Sequence, residues 1–168
     1  MQQNVLIGIC GIIIFSFIIF FSFWFFSQNS NPDSKFIGKK DSFQPLIESM
    51  LGADYEEEDD RFIIFTIKNT EEFIQISTKD RHIIVDFPLA TPSQKGKEEK
   101  IRRAVNKLSL KLIPDPYEET ISLDVQIPQD SKHAAKTIVD LFSLIYQTSD
   151  NTEFKIEYNG FNFEAGKS

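Results

Sequence analysis

Two histidines, one cysteine and 25 Asp+Glu are where proton transfer, metal binding or nucleophilic chemistry would have to start in this 168-residue chain. A single thiol, Cys10, excludes an intrachain disulfide framework and any multi-cysteine zinc site. His82 opens an apolar run and His133 falls in the first turn of an expected helix. Neither neighbours a nucleophile in sequence, so each reads as a surface or packing histidine. Asp86, Asp124, Glu98 and Glu99 could supply an acid and a base, yet a lone carboxylate on an exposed face is ordinarily just solvated. The segment DYEEEDD at 54–60 places six carboxylates in seven residues. It has no His, Asn or Gly at ligand spacing, so it reads as an exposed connector rather than a calcium loop. A P-loop, G-x-G-x-x-G, G-x-S-x-G and H-E-x-x-H are all absent, and only five Gly come after residue 26. No catalytic residue, metal ligand set or cofactor is expected, and the chain reads as non-enzymatic.

The charge is distributed in two blocks. All 18 Lys+Arg and all 25 Asp+Glu lie after residue 26, giving a formal charge of −7 to the remainder. Nucleic acid is therefore not an expected partner. The uncharged block, VLIGICGIIIFSFIIFFSFWFF at 5–26, would make a helix about 33 Å long, enough to cross a hydrocarbon core of about 30 Å. A cleaved signal peptide would want a basic start, a shorter apolar run and small residues at the cut. The start here is Met1-Gln2-Gln3-Asn4 and large aromatics end the run, so an uncleaved single-pass anchor is expected, with Cys10 facing lipid and Trp24 at the interface. Lys35, Lys39 and Lys40 come after the anchor and nothing basic precedes it. The positive-inside rule then keeps the soluble body in the cytoplasm. The expected division is a tail at 1–4, a transmembrane helix at 5–26, a linker at 27–40 and a folded domain at 41–168.

What must position the remaining residues is a set of short periodic elements. Phe43, Leu46, Ile47, Met50 and Leu51 recur at helical spacing, with Pro45 in the first turn and Gly52 as the stop. Three strands are predicted over Arg61 to Lys68, Phe73 to Thr78 and His82 to Phe87, joined by links short enough for an antiparallel meander. Thr91-Pro92-Ser93-Gln94 offers a capping box and an N1 proline for a helix reaching about Lys111, with a stripe of Ile101, Ala104, Val105, Leu108 and Leu112 and an otherwise basic surface. Simple solvation accounts for that surface, although anionic lipid or an acidic partner would fit it. Pro114 and Pro116 end this helix. Ile121 to Ile127 alternates without fault, and Asp130 or Ser131 caps a last helix with Ala134, Ala135, Ile138, Leu141, Phe142 and Ile145 inward. Phe154 to Tyr158 alternates again before Asn159-Gly160, predicting a C-terminal hairpin over 154–164 that includes Phe161 and Phe163.

The fold class expected is α+β: an antiparallel sheet with helices packed on one face in the order α-β-β-β-α-β(β)-α, preceded by one transmembrane helix. Over Phe43 to Tyr146 the chain resembles the YbjN-like or TY-Chap family, itself similar to class I type III secretion chaperones. The likeness is carried by FIQIS at 73–77, HIIVDFPLA at 82–90, the helix from Thr91 to Leu108, and ISLDVQIP followed by HAAKTIVDLF. It is one of element order and apolar pattern, without an invariant chemical motif. The resemblance implies protein binding, commonly by dimers that hold partly extended clients without ATP. The anchor and the tail after Thr148 depart from that pattern.

Parity locates a candidate contact surface. If Ile74, Ile76, Ile83, Val85, Phe87, Ile121, Leu123, Val125 and Ile127 face the helices, Phe62, Ile64, Phe73 and Ile84 fall on the opposite face among Gln75, Ser77, Asp86, Ser122, Asp124 and Gln126. An apolar patch with a polar surround marks a contact surface unless the chain's own 154–164 hairpin covers it. The reading reached is a membrane-anchored, non-enzymatic protein-binding module. It would use that sheet face or an edge strand to hold a polypeptide partner or a second copy, with membrane lipid around the N-terminal helix. The alternatives are a structural subunit of a membrane complex, or an enzyme with an unrecognised carboxylate/His site.

Overall fold

The computed structural model describes residues 35–53, 61–79, 82–89, 91–114 and 122–164. The chain divides into two compact units, Met1–Asp33 and Ser34–Ser168, and the described residues all belong to the second. The expected tail, the anchor at 5–26, the acidic run at 54–60 and the link at 117–120 lie outside them. Among the described residues no helix is long and apolar enough to cross a membrane.

The order is β1 (Lys35–Gly38), a 3-10 turn (Lys40–Ser42), α1 (Phe43–Gly52), β2 (Phe62–Ile67), β3 (Phe73–Lys79), β4 (His82–Pro88), α2 (Pro92–Lys95), α3 (Glu98–Lys107), β5 (Lys111–Leu112), β6 (Ser122–Ile127), α4 (Ser131–Tyr146) and β7 (Phe154–Asn159). From Phe43 to Tyr146 this follows the expected succession with the optional extra strand, except that two helices, α2 and α3, stand where one was expected. All strand pairs are antiparallel, in the spatial order β1-β7-β2-β3-β4-β6-β5.

Alternation decides which face is dry. Ile63, Phe65, Ile74, Ile76, Ile83, Val85, Phe87, Leu123, Val125, Ile127, Phe154, Ile156 and Tyr158 share one core cluster with Phe43, Leu46, Ile47 and Met50 of α1, Ile101, Ala104 and Val105 of α3, and Ala134, Ile138, Leu141, Phe142 and Ile145 of α4. Its centre is aromatic. Phe43 meets Phe65 at 4.1 Å and Phe154 at 5.0 Å between ring centroids, and Phe142 meets Phe154 at 4.8 Å. Arg61, 4% exposed, closes the far end of α1 by donating from Nη1 to the carbonyls of Ala53 at 2.8 Å and Met50 at 3.4 Å. The guanidinium thereby satisfies carbonyls that a helix C-terminus leaves open.

Three expectations are corrected. Residues 35–38, read as linker, form β1, because Phe36 packs inward and stacks on Phe163 at 5.7 Å. The helix predicted from Thr91 to Lys111 is two helices and a strand. Its capping box is present, with Thr91 Oγ1 accepting from Gln94 N–H and Gln94 Oε1 from Thr91 N–H. The chain nevertheless breaks at Gly96, and Ser109 in the left-handed region (φ 55°) stops α3 so that Lys111 and Leu112 join β6. The C-terminal hairpin does not form. β7 lies between β1 and β2, and Gly160 reverses the chain at φ 80°, where a Cβ would sit 2.8 Å from Arg61 Cγ and 3.1 Å from its Cα. Phe161 and Phe163 then fold onto Tyr158 and Phe36 on the helix side, and Tyr158 Oη donates to the Phe163 carbonyl at 2.9 Å. The segment offered as the alternative cover for the outer face therefore packs elsewhere.

Candidate functional site

Every residue of parity opposite to the core projects from the outer face of the sheet, and the register sorts these residues into rows running across the strands. One row reads Asn159, Phe62, Ser77, Ile84, Gln126 and Lys111 from β7 to β5. The next reads Lys35, Glu157, Ile64, Gln75, Asp86 and Asp124 from β1 to β6. A third begins Ile37, Lys155, Thr66 and Phe73.

All four predicted contact residues lie on this face. Phe62, Ile64 and Phe73 are half-buried on the neighbouring strands β2 and β3 and occupy successive rows of this face. Ile84 is set apart from them by Ser77 and is only 8% exposed. None of the four belongs to the core cluster or packs against it. Ile37, half exposed on the edge strand β1, extends the apolar character of the face toward that edge.

The feature that single-residue patterning missed is the opposition of two carboxylates. Asp86 and Asp124 are direct partners across the β4–β6 pair, where Cβ atoms stand about 5 Å apart. Ser122 donates its hydroxyl to Asp124 Oδ1 at 3.0 Å and lies against Asp86 as well. Asp86 Oδ1 is buried with no hydrogen-bond partner among the described residues. Among those residues no lysine or arginine forms an ion pair with either acid. Burial, and then the charge of Asp124, push the Asp86 carboxyl up to about 6, with the nearby Ser122 hydroxyl acting in the opposite direction. Residue types showed two polar positions; only the register sets them face to face. At the other end of the same row, Glu157 takes bonds from Lys35 at 2.8 Å and Lys155 at 3.2 Å. Partial burial works to raise it, but the two ammonium groups outweigh that and hold it below the usual carboxylate range.

The remaining titratable candidates have local partners. His82 Nδ1 is 2.9 Å from the side-chain nitrogen of Gln126 and 3.2 Å from that of Gln129. His133 is tied to Asp130, which caps α4 by accepting from His133 N–H at 2.9 Å and contacts Nδ1 at 2.8 Å. Glu98 pairs with Arg102 at 2.8 Å, and Glu99 pairs with Arg103, along α3. Among the described residues no hydrogen bond or ion pair joins either histidine to Asp86, Asp124, Glu98 or Glu99. At the junction of β3, α3 and α4, Lys97 pairs with Glu72, and Tyr146 Oη donates to the Phe73 carbonyl at 3.3 Å. Burial, with Glu72 nearby, raises the Tyr146 hydroxyl above its ordinary value. The cleft lined there by Phe73, Lys97 and Tyr146 has a volume of about 10 Å³, room for one water molecule. Among the described residues no three His, Cys, Asp or Glu side chains gather as a metal site would require.

No family model, curated protein or solved structure matches the chain.

Proposed function

We propose that this chain is a membrane-anchored, non-enzymatic protein-binding module. Its N-terminal apolar segment spans the bilayer, its sheet domain stands on the cytoplasmic side, and the outer sheet face holds a polypeptide partner. The observation that carries this reading is the Phe62–Ile64–Phe73 strip. These side chains lie opposite the face on which the described helices pack, and an apolar strip inside a polar surround is the usual form of a contact surface. The resemblance to YbjN-like proteins and type III secretion chaperones belongs to the same proposal, since holding extended client segments is what that likeness implies. Tethering a weak binder raises its effective concentration near membrane-bound clients, so a modest patch can suffice.

Photo-crosslinking of the full chain in its native membrane tests the reading. A benzoylphenylalanine in place of Ile64 or Gln75 should give discrete adducts, whereas one in place of Lys100, exposed on α3, should not. The double substitution Phe62→Ser and Ile64→Ser should abolish the adduct at 75 while leaving the far-UV dichroism unchanged. Equal labelling from α3, or an adduct indifferent to the double substitution, would remove this face from consideration. Labelling of engineered cysteines in the body from outside the cell would overturn the orientation.

A further inference from the structure

The chemistry of the outer face narrows what can cover it. Ile64 and Asp86 share one row two strands apart, about 10 Å, with Gln75 between them and Asp124 one strand further on. An apolar segment laid over that row would seal two adjacent carboxylates away from water with no counter-charge, which is among the costliest arrangements a protein surface can be given. An acidic segment, or a phosphate group, would add a third negative charge. Two carboxylates and one serine are too few donors for a divalent cation without further ligands, and no other acid, His or Cys joins them among the described residues. An ammonium or guanidinium group fits. It carries several donors, it can approach the half-buried acid pair from solvent, and its long apolar stem can lie along Gln75 toward Ile64.

We infer that the occupant of this face is an extended polypeptide segment presenting a lysine or arginine next to apolar side chains, the cation set over Asp86 and Asp124 and the apolar residues over Ile64 and Phe62. The inference rests on the binding function proposed above and adds the partner's chemistry to it. Residues two apart on one side of an extended chain are separated by nearly 7 Å. An apolar residue over Ile64 and a basic residue two positions on therefore leave the basic side chain within reach of both acids. The complementarity is one-sided: replacing the cation by a neutral group of the same shape returns the uncompensated acid pair.

The test uses the full chain in lipid nanodiscs as bait for a displayed library of random dodecapeptides. Binders that fail on the Phe62→Ser, Ile64→Ser variant are retained, then resynthesised with each lysine acetylated or each arginine replaced by citrulline. Retained binders should be enriched in a basic residue flanked by apolar ones, and its neutralisation should weaken binding at least tenfold. The Asp86→Asn, Asp124→Asn variant should bind basic and neutral forms within twofold of each other. Retention of neutral-peptide binding by that variant also shows that its face is intact. In the unaltered chain the basic form alone should weaken as salt rises from 50 to 500 mM. Retained binders without a basic preference, or a preference that survives both Asn substitutions, would overturn the inference while leaving the binding function in place. If no binder depends on Phe62 and Ile64, the binding function itself falls. Self-association of the bait that disappears on Asp86→Asn would mean that a second copy supplies the cation, and would overturn a foreign segment as the occupant.

Discussion

The two faces of this sheet are built from alternate residues of the same strands, yet the described helices pack on only one of them. On the inner face Phe65 is fully buried and touches Phe43; three positions earlier on β2, Phe62 points outward and is half-buried. The inner face commits its aromatic area to a cluster that α1 and α4 close. The outer face keeps similar side chains next to two opposed acids. The contrast teaches that hydrophobicity alone does not say where a residue packs, since parity decides whether a Phe joins the core or lies on the opposite face. Phe65→Ala should cost about 3–5 kcal/mol, as deletion of a buried aromatic does, whereas Phe62→Ala should cost about 1 kcal/mol or less. Urea titrations of the two variants, monitored by far-UV dichroism, check this. Equal losses would mean that the outer face is also part of the core, and the distinction between the faces would go.

The next largest effect lies on the outer face and has the opposite sign. The Asp86 carboxyl is raised from 3.8 to about 6 by burial and by Asp124. The native state therefore holds this proton more tightly than the unfolded chain does. Below about pH 4 the group is neutral in both states and its stabilising share is fully present; that share is lost as pH rises through about 6. Among the described residues the groups facing Asp86 are Gln75 on β3 and Asp124 and Ser122 on β6, with no cation among them. Asp86→Asn should then stabilise the chain by about 2–3 kcal/mol at pH 7.5 and by little at pH 4. Urea midpoints of both forms across that range provide the measurement. A substitution that destabilises at pH 7.5 would show that the acid pair is compensated, which would also remove the reason for a basic partner.

How far the sequence already contained this picture depends on the range of the interaction involved. The strands from Phe62 to Pro88 and from Ser122 to Ile127 were legible because one-sided burial writes a period of two into them, and the same parity put Phe62, Ile64, Phe73 and Ile84 on one face. β1 was missed because a four-residue strand is too short to show a period, and its partner β7 lies at the other end of the chain. Leu108 and Leu112 mimic a helical stripe, and nothing about Ser109 announces that it will adopt a positive φ and turn Leu112 into a strand residue. Asn159-Gly160 did signal a chain reversal, but Phe161 and Phe163 beyond it pack on aromatic rings rather than pairing as a strand. Asp86 and Asp124 were each visible as polar positions on alternating strands. Their opposition required the β4–β6 register, which forms across the intervening helices and β5 and leaves no local trace.

The smallest effect sharpens the comparison within a single row. Glu157 shares its row with Asp86, separated from it by β2 and β3, but lies between Lys35 and Lys155. Its carboxyl is held below the usual value where that of Asp86 is pushed above it. The sign therefore reverses: Glu157 contributes stability above its unfolded value of 4.5, and that contribution disappears as pH falls through the lower native value. Because both lysines stay partly exposed and salt screens the pairs, Glu157→Gln should cost less than about 1 kcal/mol at pH 7.5, and less still at high salt. Two carboxylates on one sheet face should thus bend the stability curve in opposite directions, one gained and one lost on neutralisation at the same pH. If Glu157→Gln moved the urea midpoint upward, as Asp86→Asn should, the neighbouring charge along the row would not be what tells the two acids apart. The common factor would then be burial under the sheet's own side chains, and the basic occupant would lose its electrostatic rationale.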